Sequence, residues 1–374
     1  MSGYFALDDN GKNELAGSLS VFCRRLLEEG VLDALLVPQR LPDSPMVRHT
    51  LVRSAEKMNA VDPVAPVLSL NGGVLAARLT RQDPGGKVGA LLRPCEIRAF
   101  IELVKLHQGD RERILLIGID CLGTFEPQEY REWAKTNPEG SGKFLDSMLG
   151  SGAVPQGAPQ LRRCCRACEF PTGETADIQV LLLGAEGGPR LFAGTENGEA
   201  VLKKLNSKSV DPPAKREKAL ETLVKGRIQS RDQMFKEVES ELLPMDKLVS
   251  ELSSCISCYN CREVCPVCYC KSCVFDSDTF EHPASQYLSM AKKRGVIKMP
   301  TDSLFFHLTR MVHMSTSCVG CGQCSSACPM GIHVMEIFRT VARKTQAVFE
   351  YVPGRSLEEP LPVTTFREDE LSGK

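Results

Sequence analysis

Two four-cysteine runs in the C-terminal half, CISCYNCREVCP and CVGCGQCSSACP, have the residue types and spacing that bind iron–sulfur clusters. Both follow C-x2-C-x2-C-x3-C-P, the bacterial ferredoxin spacing for a four-iron cubane, in which the fourth cysteine of each run ligates the other cluster. Zinc is the alternative, but zinc sites usually take two CxxC pairs spaced farther apart. The sequence therefore predicts two [4Fe-4S] clusters and a role in electron transfer. The predicted ligands are Cys255, Cys258, Cys261 and Cys328 for one cluster, and Cys318, Cys321, Cys324 and Cys265 for the other.

A second group of cysteines lies in the N-terminal half. Cys95 follows one predicted strand in LLRPCEIRA, Cys121 follows the next in IGIDCLGTF, and Cys165 and Cys168 form a CxxC. If the two strands are parallel neighbours, Cys95 and Cys121 project from the carboxyl edge of the sheet, where α/β sheets place ligands. The four thiols are candidate ligands of a third cubane. The alternative is that Cys95 and Cys121 are small buried apolar residues.

Three further cysteines follow directly on the first run, in CPVCYCKSC. Neither ferredoxin run needs Cys268, Cys270 or Cys273, and a disulfide is not expected in a reducing cytosol. They are either buried structural residues or ligands of a fourth cluster, with Cys23 or Cys164 as its fourth ligand. We expect about 12 iron atoms per chain for three cubanes and about 16 for four, at four irons each.

The elements that must position these cysteines suggest an α/β N-terminal domain with a mainly parallel sheet. A helix is expected over 13–29 with Gly30 as its end, and buried strands over 33–38, 87–93, 113–120 and 178–184. A helix is expected directly after the strand over 87–93, with Pro94 near its start, because proline favours the first helical turn. Residues 136–160 are rich in Gly, Pro and Ser and predict a long surface loop.

The C-terminal half is expected to be an all-α dicluster ferredoxin-type domain. The charged stretch before it predicts a connecting helix with a solvated face, and LFFHLTRMVHM (304–314) predicts an amphipathic helix between the two runs. The polar, proline-containing end of the chain predicts a docking arm or a loose end. The predicted boundaries are 1–205 for the α/β domain, 206–245 for the connector, 246–350 for the dicluster domain and 351–374 for the tail.

Composition narrows the class of protein. The chain has 374 residues, 17 of them Cys, and a formal net charge of -1, so its charge balance does not favour nucleic acid or an anionic membrane. The N-terminus is polar and predicts no signal peptide, and no apolar run reaches the roughly 18 residues of a membrane span. A cytoplasmic protein is the expectation. The sequence has no P-loop, HExxH or GxSxG, and no GxGxxG follows a strand, which disfavours hydrolysis and a Rossmann nicotinamide site.

Four segments of the N-terminal half occur in the order found in a known family: GSLSVFCRRLLEEGVLDALLVP, VGALLRPCEIRAF, LLIGIDCLG and CRACEFPTGETADIQV. Over roughly 1–205 the chain resembles the beta subunits of coenzyme F420-reducing hydrogenases and F420-linked formate dehydrogenases. The resemblance implies an α/β domain that holds a [4Fe-4S] cluster beside FAD, with a hydride exchanged between flavin and F420. By position it implies Cys95, Cys121, Cys165 and Cys168 as ligands. Members that hold flavin usually carry Gly-Gly at the first helix, where this chain has only Gly17, so FAD stays open.

The C-terminal half resembles the small iron–sulfur subunit of heterodisulfide reductases and succinate-dehydrogenase-type iron–sulfur subunits. The residues that carry this resemblance are the two runs, the helical segment between them and the GIHV after the second. The fusion of both parts resembles beta subunits of cytosolic formate dehydrogenases or hydrogenases that feed heterodisulfide-reductase-like complexes.

The sequence is therefore consistent with three candidate functions. The first is an electron-transfer subunit of a multi-subunit oxidoreductase, which relays electrons between a flavin or hydride-donor site and a catalytic or flavin-bearing partner subunit. The second is a self-sufficient flavin and iron–sulfur oxidoreductase acting on F420 or a nicotinamide such as NAD(P)H. The third is a zinc-bound structural adaptor. Among other polar residues, His307 and His313 are expected at the surface or beside cluster ligands, and Glu96 and Asp120 could handle protons at the sheet edge.

Overall fold

The computed structural model describes residues 3–7, 15–185, 188–280, 283–295 and 302–365. Within these ranges the N-terminal half contains one seven-stranded sheet. In chain order the strands are β1 (Tyr4–Ala6), β2 (Ala34–Arg40), β3 (Val47–Val52), β4 (Val88–Leu92), β5 (Ile114–Ile119), β6 (Ile178–Leu181) and β7 (Arg190–Ala193).

The strand order is β1-β7-β6-β5-β4-β2-β3. The central strands β2, β4, β5 and β6 pair in parallel, whereas β3, β7 and β1 add antiparallel edges. The predicted α/β class is confirmed: the centre of the sheet is parallel, as expected, and its edges are antiparallel. Short connections join β2 to β3 and β6 to β7 as antiparallel partners, whereas β1 pairs with β7 from the far end of this half. Every residue of β4 and β5 is buried, as expected for parallel strands covered on both faces.

Helices cover both faces of this sheet. The first ends before Gly30, whose φ of +60° suits glycine; its predicted start at Asn13 lies outside the described residues. Two buried helices, α2 and α3, pack on one another beside β4. The helices of this half are α1 (Leu15–Glu28), α2 (Gly72–Thr80), α3 (Pro94–Lys105), α4 (Pro127–Thr136), α5 (Gly140–Ser151), α6 (Arg163–Arg166) and α7 (Glu196–Lys204).

The prediction of a long surface loop over 136–160 is wrong. Helix α5 occupies Gly140–Ser151, and it buries Phe144, Leu145 and Met148 in the α/β core. These three apolar residues lie at helical spacing, so their burial stabilises a helix that glycine and serine disfavour. Gly140 is needed for close packing, because a Cβ there would lie 2.7 Å from the ring of Trp133.

The C-terminal half is helical, as predicted. Its longest helix, α8, contacts both halves: Met234, Phe235 and Val238 pack between Cys164 of the α/β half and Met335 of the C-terminal half. The predicted solvated face is wrong at Arg227, which is buried and donates to the carbonyl of Cys121. The helices are α8 (Arg216–Glu241), α9 (Met245–Leu252), α10 (Asn260–Glu263), α11 (Ala284–Arg294), α12 (Asp302–Met314), α13 (Gln323–Ser326) and α14 (Val334–Val348).

The segment after α14 returns to the α/β half and contacts α3. Glu102, fully buried, accepts hydrogen bonds from the Tyr351 hydroxyl at 2.5 Å and the Gly354 amide at 2.8 Å. Arg98 of α3 donates to the carbonyl of Pro353 at 2.8 Å. The start of the predicted tail is therefore bound to the helix that begins next to Cys95. In the described part of the chain, no helix has the length and apolar character needed to cross a membrane.

Candidate cluster sites

One cavity in the C-terminal half, here called the distal cavity, is lined by four thiols that come from both runs. Three belong to the first run and the fourth, Cys328, belongs to the second. Tyr259, Phe306 and His307 complete its wall. The four thiols are Cys255, Cys258, Cys261 and Cys328; Cys258 is exposed and Cys261 is buried.

A second cavity, here called the central cavity, has the reciprocal composition. Cys318, Cys321 and Cys324 of the second run line it together with Cys265 of the first. Arg310, Met335 and Phe338 form other parts of the wall. The structure thus brings Cys265 and Cys328 each beside the other run. Ligation of a cluster by either set of four remains a prediction.

Both cysteine loops use left-handed backbone at the same two positions. In the second run these are Gly320 and Gly322, with φ of +70° and +75°. In the first run they are Ser257 and Tyr259, with φ of +54° and +58°. A non-glycine residue in this region is unfavourable unless its surroundings hold it there; the Tyr259 ring lies 4.8 Å from that of Phe306. These turns curl each loop so that its three thiols face one cavity.

The thiols of the central cavity are held away from water. Burial raises the pKa of Cys321 to about 12 and that of Cys324 well above its usual range. The Cys321 and Cys324 thiols are therefore protonated when nothing is bound. Cluster ligands must be thiolates, so binding a cluster releases these protons and supplies the positive iron that the buried sulfurs need.

The sheet edge carries the third set of thiols, Cys95, Cys121, Cys165 and Cys168. Strands β4 and β5 are parallel neighbours, so Cys95 at the start of α3 and Cys121 just after β5 lie at the same carboxyl edge. The pKa of Cys95 is raised mainly by burial and also by the charges of Cys121 and Cys168. The pKa of Cys121 is likewise raised mainly by burial and also by the charges of Cys165 and Cys168. The CxxC lies at the same edge, because the Cys165 sulfur is 3.3 Å from the Thr124 hydroxyl and the Cys121 amide donates to the Pro171 carbonyl at 2.8 Å. A cluster held by these four thiols remains a prediction.

The sheet-edge set lies directly against the central cavity. The Cys164 thiol donates to the carbonyl of Cys321 at 3.6 Å, and Arg162 donates to the same oxygen at 3.1 Å. Cys164 is also 3.9 Å from the sulfur of Cys165. Gly322 makes this approach possible, because a Cβ there would lie 2.3 Å from the Cys164 sulfur. The central cavity is thus in contact with the other two sites, on one side through Cys164 and Arg162 and on the other through Arg310.

Several arginines at these sites were not expected from the sequence. Arg162, Arg98 and Arg310 are all buried beside cysteine loops. Arg98 donates to the carbonyl of Val319 at 3.3 Å and stacks on Phe170 at 3.8 Å. Arginine is normally a surface residue, so nothing in the local sequence identifies these three. Their burial becomes intelligible only when thiolates from distant parts of the chain surround them.

The two carboxylates considered as proton carriers both form hydrogen bonds with other groups of the protein. Glu96 accepts from the amides of Gly72 at 2.7 Å and Arg93 at 2.8 Å, and so caps α3. Asp120 accepts from the amides of Leu182 and Leu183 and forms a two-pronged ion pair with Arg216. Both carboxylates therefore have structural roles at the sheet edge. His307 is buried in the distal cavity wall, whereas His313 is exposed.

The stretch with the three extra cysteines lies next to the central cavity. The pKa of Cys268 is raised to about 12 by burial and by the neighbouring Cys265, while Cys270 is exposed. Of the two candidate fourth ligands, Cys23 is buried in the α/β core and Cys164 contacts Cys165 and Cys321 as described. Within the described ranges, no three His, Cys, Asp or Glu side chains converge closely enough to hold a single metal ion.

We expect the triple substitution of Cys268, Cys270 and Cys273 by Ser to leave the iron content at about 12 atoms per chain. The physical reason is that neither Cys23 nor Cys164 completes a fourth site with these thiols. Iron and acid-labile sulfide analysis of the anaerobically purified chain measures this. Iron near about 16 in the unsubstituted chain, falling to about 12 in the variant, would establish a fourth cubane instead.

A flavin pyrophosphate needs open backbone amides, which a glycine pair can provide. Two of the chain's glycine pairs are Gly72–Gly73 and Gly85–Gly86. At Gly72–Gly73 the space is filled by protein: a Cβ on Gly72 would lie 2.7 Å from His49, and one on Gly73 would lie 2.2 Å from the Glu96 carbonyl. At Gly86 the nearest group is the Asp33 carboxylate, at 2.9 Å, which repels an anion. Neither pair fits a pyrophosphate.

A cleft of about 290 Å³ opens beside β3 and the start of α3; its lining is mostly apolar, and its polar residues are Arg48, His49, Ser69 and Arg93. The Nε2 atom of His49 is buried there, 3.5 Å from Glu96, with no hydrogen-bond partner in the described residues. Burial lowers the pKa of His49, so its ring is neutral and can donate or accept one hydrogen bond to a ligand. The volume of this cleft is at the small end of the range for ligand sites. The cleft is therefore large enough for only part of a dinucleotide.

Comparison with known proteins agrees with this architecture. Residues 251–332 match the family model described as a 4Fe-4S dicluster domain. The F420-dependent formate dehydrogenase subunit beta of Methanocaldococcus jannaschii is 26% identical over 92% of this chain and 94% of its own length. The F420-dependent formate dehydrogenase 1 subunit beta of Methanococcus maripaludis is 28% identical over 93% of both chains.

Two further matches are shorter or more distant. The coenzyme F420 hydrogenase subunit beta of Methanococcus voltae is 26% identical over 48% of this chain and 70% of its own. A chain of the F420-reducing [NiFe] hydrogenase complex from Methanosarcina barkeri superposes with a TM-score of 0.46 at 15% identity, over 66% of this chain and 94% of that one. The protein is thus similar along nearly its whole length to beta subunits of F420-dependent formate dehydrogenases, and its residues 251–332 match a 4Fe-4S dicluster domain.

Proposed function

We propose that this protein is an iron–sulfur electron-transfer subunit of a multi-subunit oxidoreductase of the formate dehydrogenase type. The observation that carries the proposal is the arrangement of twelve thiols as three adjoining sets: the sheet-edge set, the central cavity and the distal cavity. Its relatives named as beta subunits of F420-dependent formate dehydrogenases support formate as the source of electrons in the complex. Each bound [4Fe-4S] cluster takes up and releases one electron at a time.

The residues of the chain give the three sites a linear order. Cys164, Arg162 and Arg98 connect the sheet edge to the loop of the central cavity. Arg310 connects the central to the distal cavity, because it lines the first and donates to Cys261 of the second. At the far end Cys258 and Ile256 are exposed, Ile256 to 52%. We infer that the distal site is where electrons pass to or from a partner protein.

The location that fits this function is the cytoplasm. All seventeen cysteines are free thiols, and a reducing compartment keeps thiols in that state. Iron–sulfur ligation also requires thiolates rather than disulfides.

We expect the chain, purified without oxygen from its own organism, to co-purify with a catalytic subunit, and formate to reduce its clusters in that complex. Electron paramagnetic resonance of frozen samples with and without formate measures the reduction. The isolated polypeptide is the control and should stay oxidised with formate, because it holds no formate-activating group among the residues described. Clusters that stay oxidised in the intact complex with formate contradict the formate assignment, and a chain without iron contradicts the electron-transfer function.

The alternative, a flavoenzyme that acts alone on F420 or a nicotinamide, is favoured by one observation, the cleft beside His49 and Arg93. It makes a different prediction: flavin at one per chain, and oxidation of reduced F420 or NAD(P)H by the isolated polypeptide with a dye as acceptor. Flavin analysis and this assay together separate the two functions. An isolated chain that has no flavin and oxidises neither donor leaves the hydride chemistry to a partner subunit.

A further inference from the structure

The guanidinium of Arg310 lies between the distal and central cavities. Its Nη1 atom donates to the sulfur of Cys261 at 3.2 Å, and its Nη2 atom donates to the carbonyl of the same residue at 3.0 Å. Cys261 belongs to the distal cavity, whereas Arg310 itself lines the central cavity with Cys265 and Cys324. One side chain of α12 therefore borders both sites.

This guanidinium is buried without a carboxylate to balance its charge. Arg310 is 4% exposed, its Nε atom has no hydrogen-bond partner among the described residues, and the rings of Phe306 and Phe338 lie 5.4 and 4.9 Å from its guanidinium carbon. No carboxylate in the described ranges forms an ion pair with it. The sulfurs of Cys261, Cys265 and Cys324 lie around it, and they carry negative charge as thiolates, the form that cluster ligation requires. A buried cation needs a compensating anion, and here only sulfur can supply it.

His307, one turn earlier on α12, does not supply a second positive charge. Both of its ring nitrogens are buried and lack partners in the part of the chain that the structure describes. Burial, and next the charge of Arg310, lower the pKa of His307 to about 4. Its ring is therefore neutral near neutral pH, and the positive charge that reaches the distal site from α12 is that of Arg310, through its hydrogen bonds to Cys261.

We propose that Arg310 is a charge-compensating residue shared by the distal and central sites, and that it raises the reduction potentials of the clusters held there. The proposal rests on the electron-transfer function above. Reduction adds one electron, and so one negative charge, to a site. A fixed positive charge nearby stabilises the added charge most strongly where water is excluded, and hydrogen bonds to the sulfurs act in the same direction. Since Arg310 borders both sites, it also weakens the repulsion between them when both are reduced.

The test is a redox titration of the anaerobic full-length chain, followed by electron paramagnetic resonance, with dithionite as reductant. In Arg310→Met, which removes the charge but keeps much of the volume, we expect both C-terminal midpoints to become more negative. The expected size is at least a tenfold smaller ratio of reduced to oxidised cluster at a fixed potential, which equals 59 mV for one electron. Arg310→Lys keeps the charge but loses the forked contact with Cys261, so its midpoints should lie between those of the other two proteins.

Arg343→Met is the matched control, because Arg343 is exposed on α14 and contacts only the Phe235 ring among the interactions described; its midpoints should equal those of the unsubstituted chain. Full iron content with unchanged midpoints in Arg310→Met overturns the proposal. Iron loss in both Arg310 variants also overturns it, because Arg310 would then serve assembly rather than potential. An unsubstituted chain without iron is a different outcome and contradicts the electron-transfer function itself.

Discussion

Cys265→Ser is expected to remove the cluster of the central cavity, although the other three ligands of that cluster belong to the second cysteine run. The structure places Cys265 in one cavity with Cys318, Cys321 and Cys324, and apart from the run in which it occurs. Iron should fall from about 12 to about 8 atoms per chain, because one four-iron cubane is lost. Iron analysis with electron paramagnetic resonance of the reduced protein measures the loss.

Double substitutions identify which cluster is lost. Cys265→Ser combined with Cys318→Ser should lose no more iron than either alone, since both residues belong to one site. Cys265→Ser combined with Cys258→Ser should lose about four further iron atoms, since these residues belong to different sites. The opposite pattern would show that each run closes its own cluster. Cys270→Ser, which changes an exposed thiol outside both cavities, is the control and should retain all iron.

Asp120→Ala is expected to lower the free energy of unfolding by about 3–5 kcal/mol, the cost of breaking a buried ion pair by removing one partner. Both oxygens of Asp120 bind Arg216, at 2.6 and 3.0 Å, and one oxygen also accepts the amides of Leu182 and Leu183. The side chains of Asp120 and Arg216 are only 2% and 14% exposed. Removing the carboxylate leaves the largely buried Arg216 guanidinium without its counter-ion, with only the Leu183 carbonyl as acceptor, and leaves two amides without their acceptor. Chemical unfolding of the full-length chain measures the change.

The matched control for this substitution is Asp146→Ala. Asp146 is exposed on α5, so its loss should change the unfolding free energy by no more than about 0.5 kcal/mol. Arg216→Ala added to Asp120→Ala should restore part of the stability, because the unpaired guanidinium is then removed as well. An Asp120→Ala protein whose free energy of unfolding equals that of the Asp146→Ala control would contradict the structural role of this ion pair.

The sequence anticipated the parts of the molecule that repeat a local pattern. Parallel strands were expected before Cys95 and Cys121, and β4 and β5 are parallel neighbours with both cysteines at one edge. Helix α12 lies where the amphipathic pattern placed it. Such patterns can be recognised because apolar residues repeat at the spacing of a strand or a helix within one continuous stretch of sequence.

What the sequence did not reveal depends on residues far apart in the chain. Helix α5 was hidden because its glycines and serines outnumber the three apolar residues that fix it to the core. The left-handed turns at Ser257 and Tyr259 carry no glycine to signal them. Arg310 is separated in sequence from Cys261, the residue that it contacts, and a single arginine has no pattern that distinguishes a buried position from an exposed one.

The contact between Cys164 and Gly322 has a consequence for how the two halves of the chain can evolve. The Cys164 sulfur occupies the space where a side chain at position 322 would stand. A mutation that enlarges residue 322, or one that enlarges residue 164, would therefore push the two halves apart at the point where their redox sites meet. We expect the two positions to covary, together with Arg162, which shares the Cys321 carbonyl with Cys164. Exchanging either half for that of a distant relative is thus expected to succeed only when these three positions are transferred together.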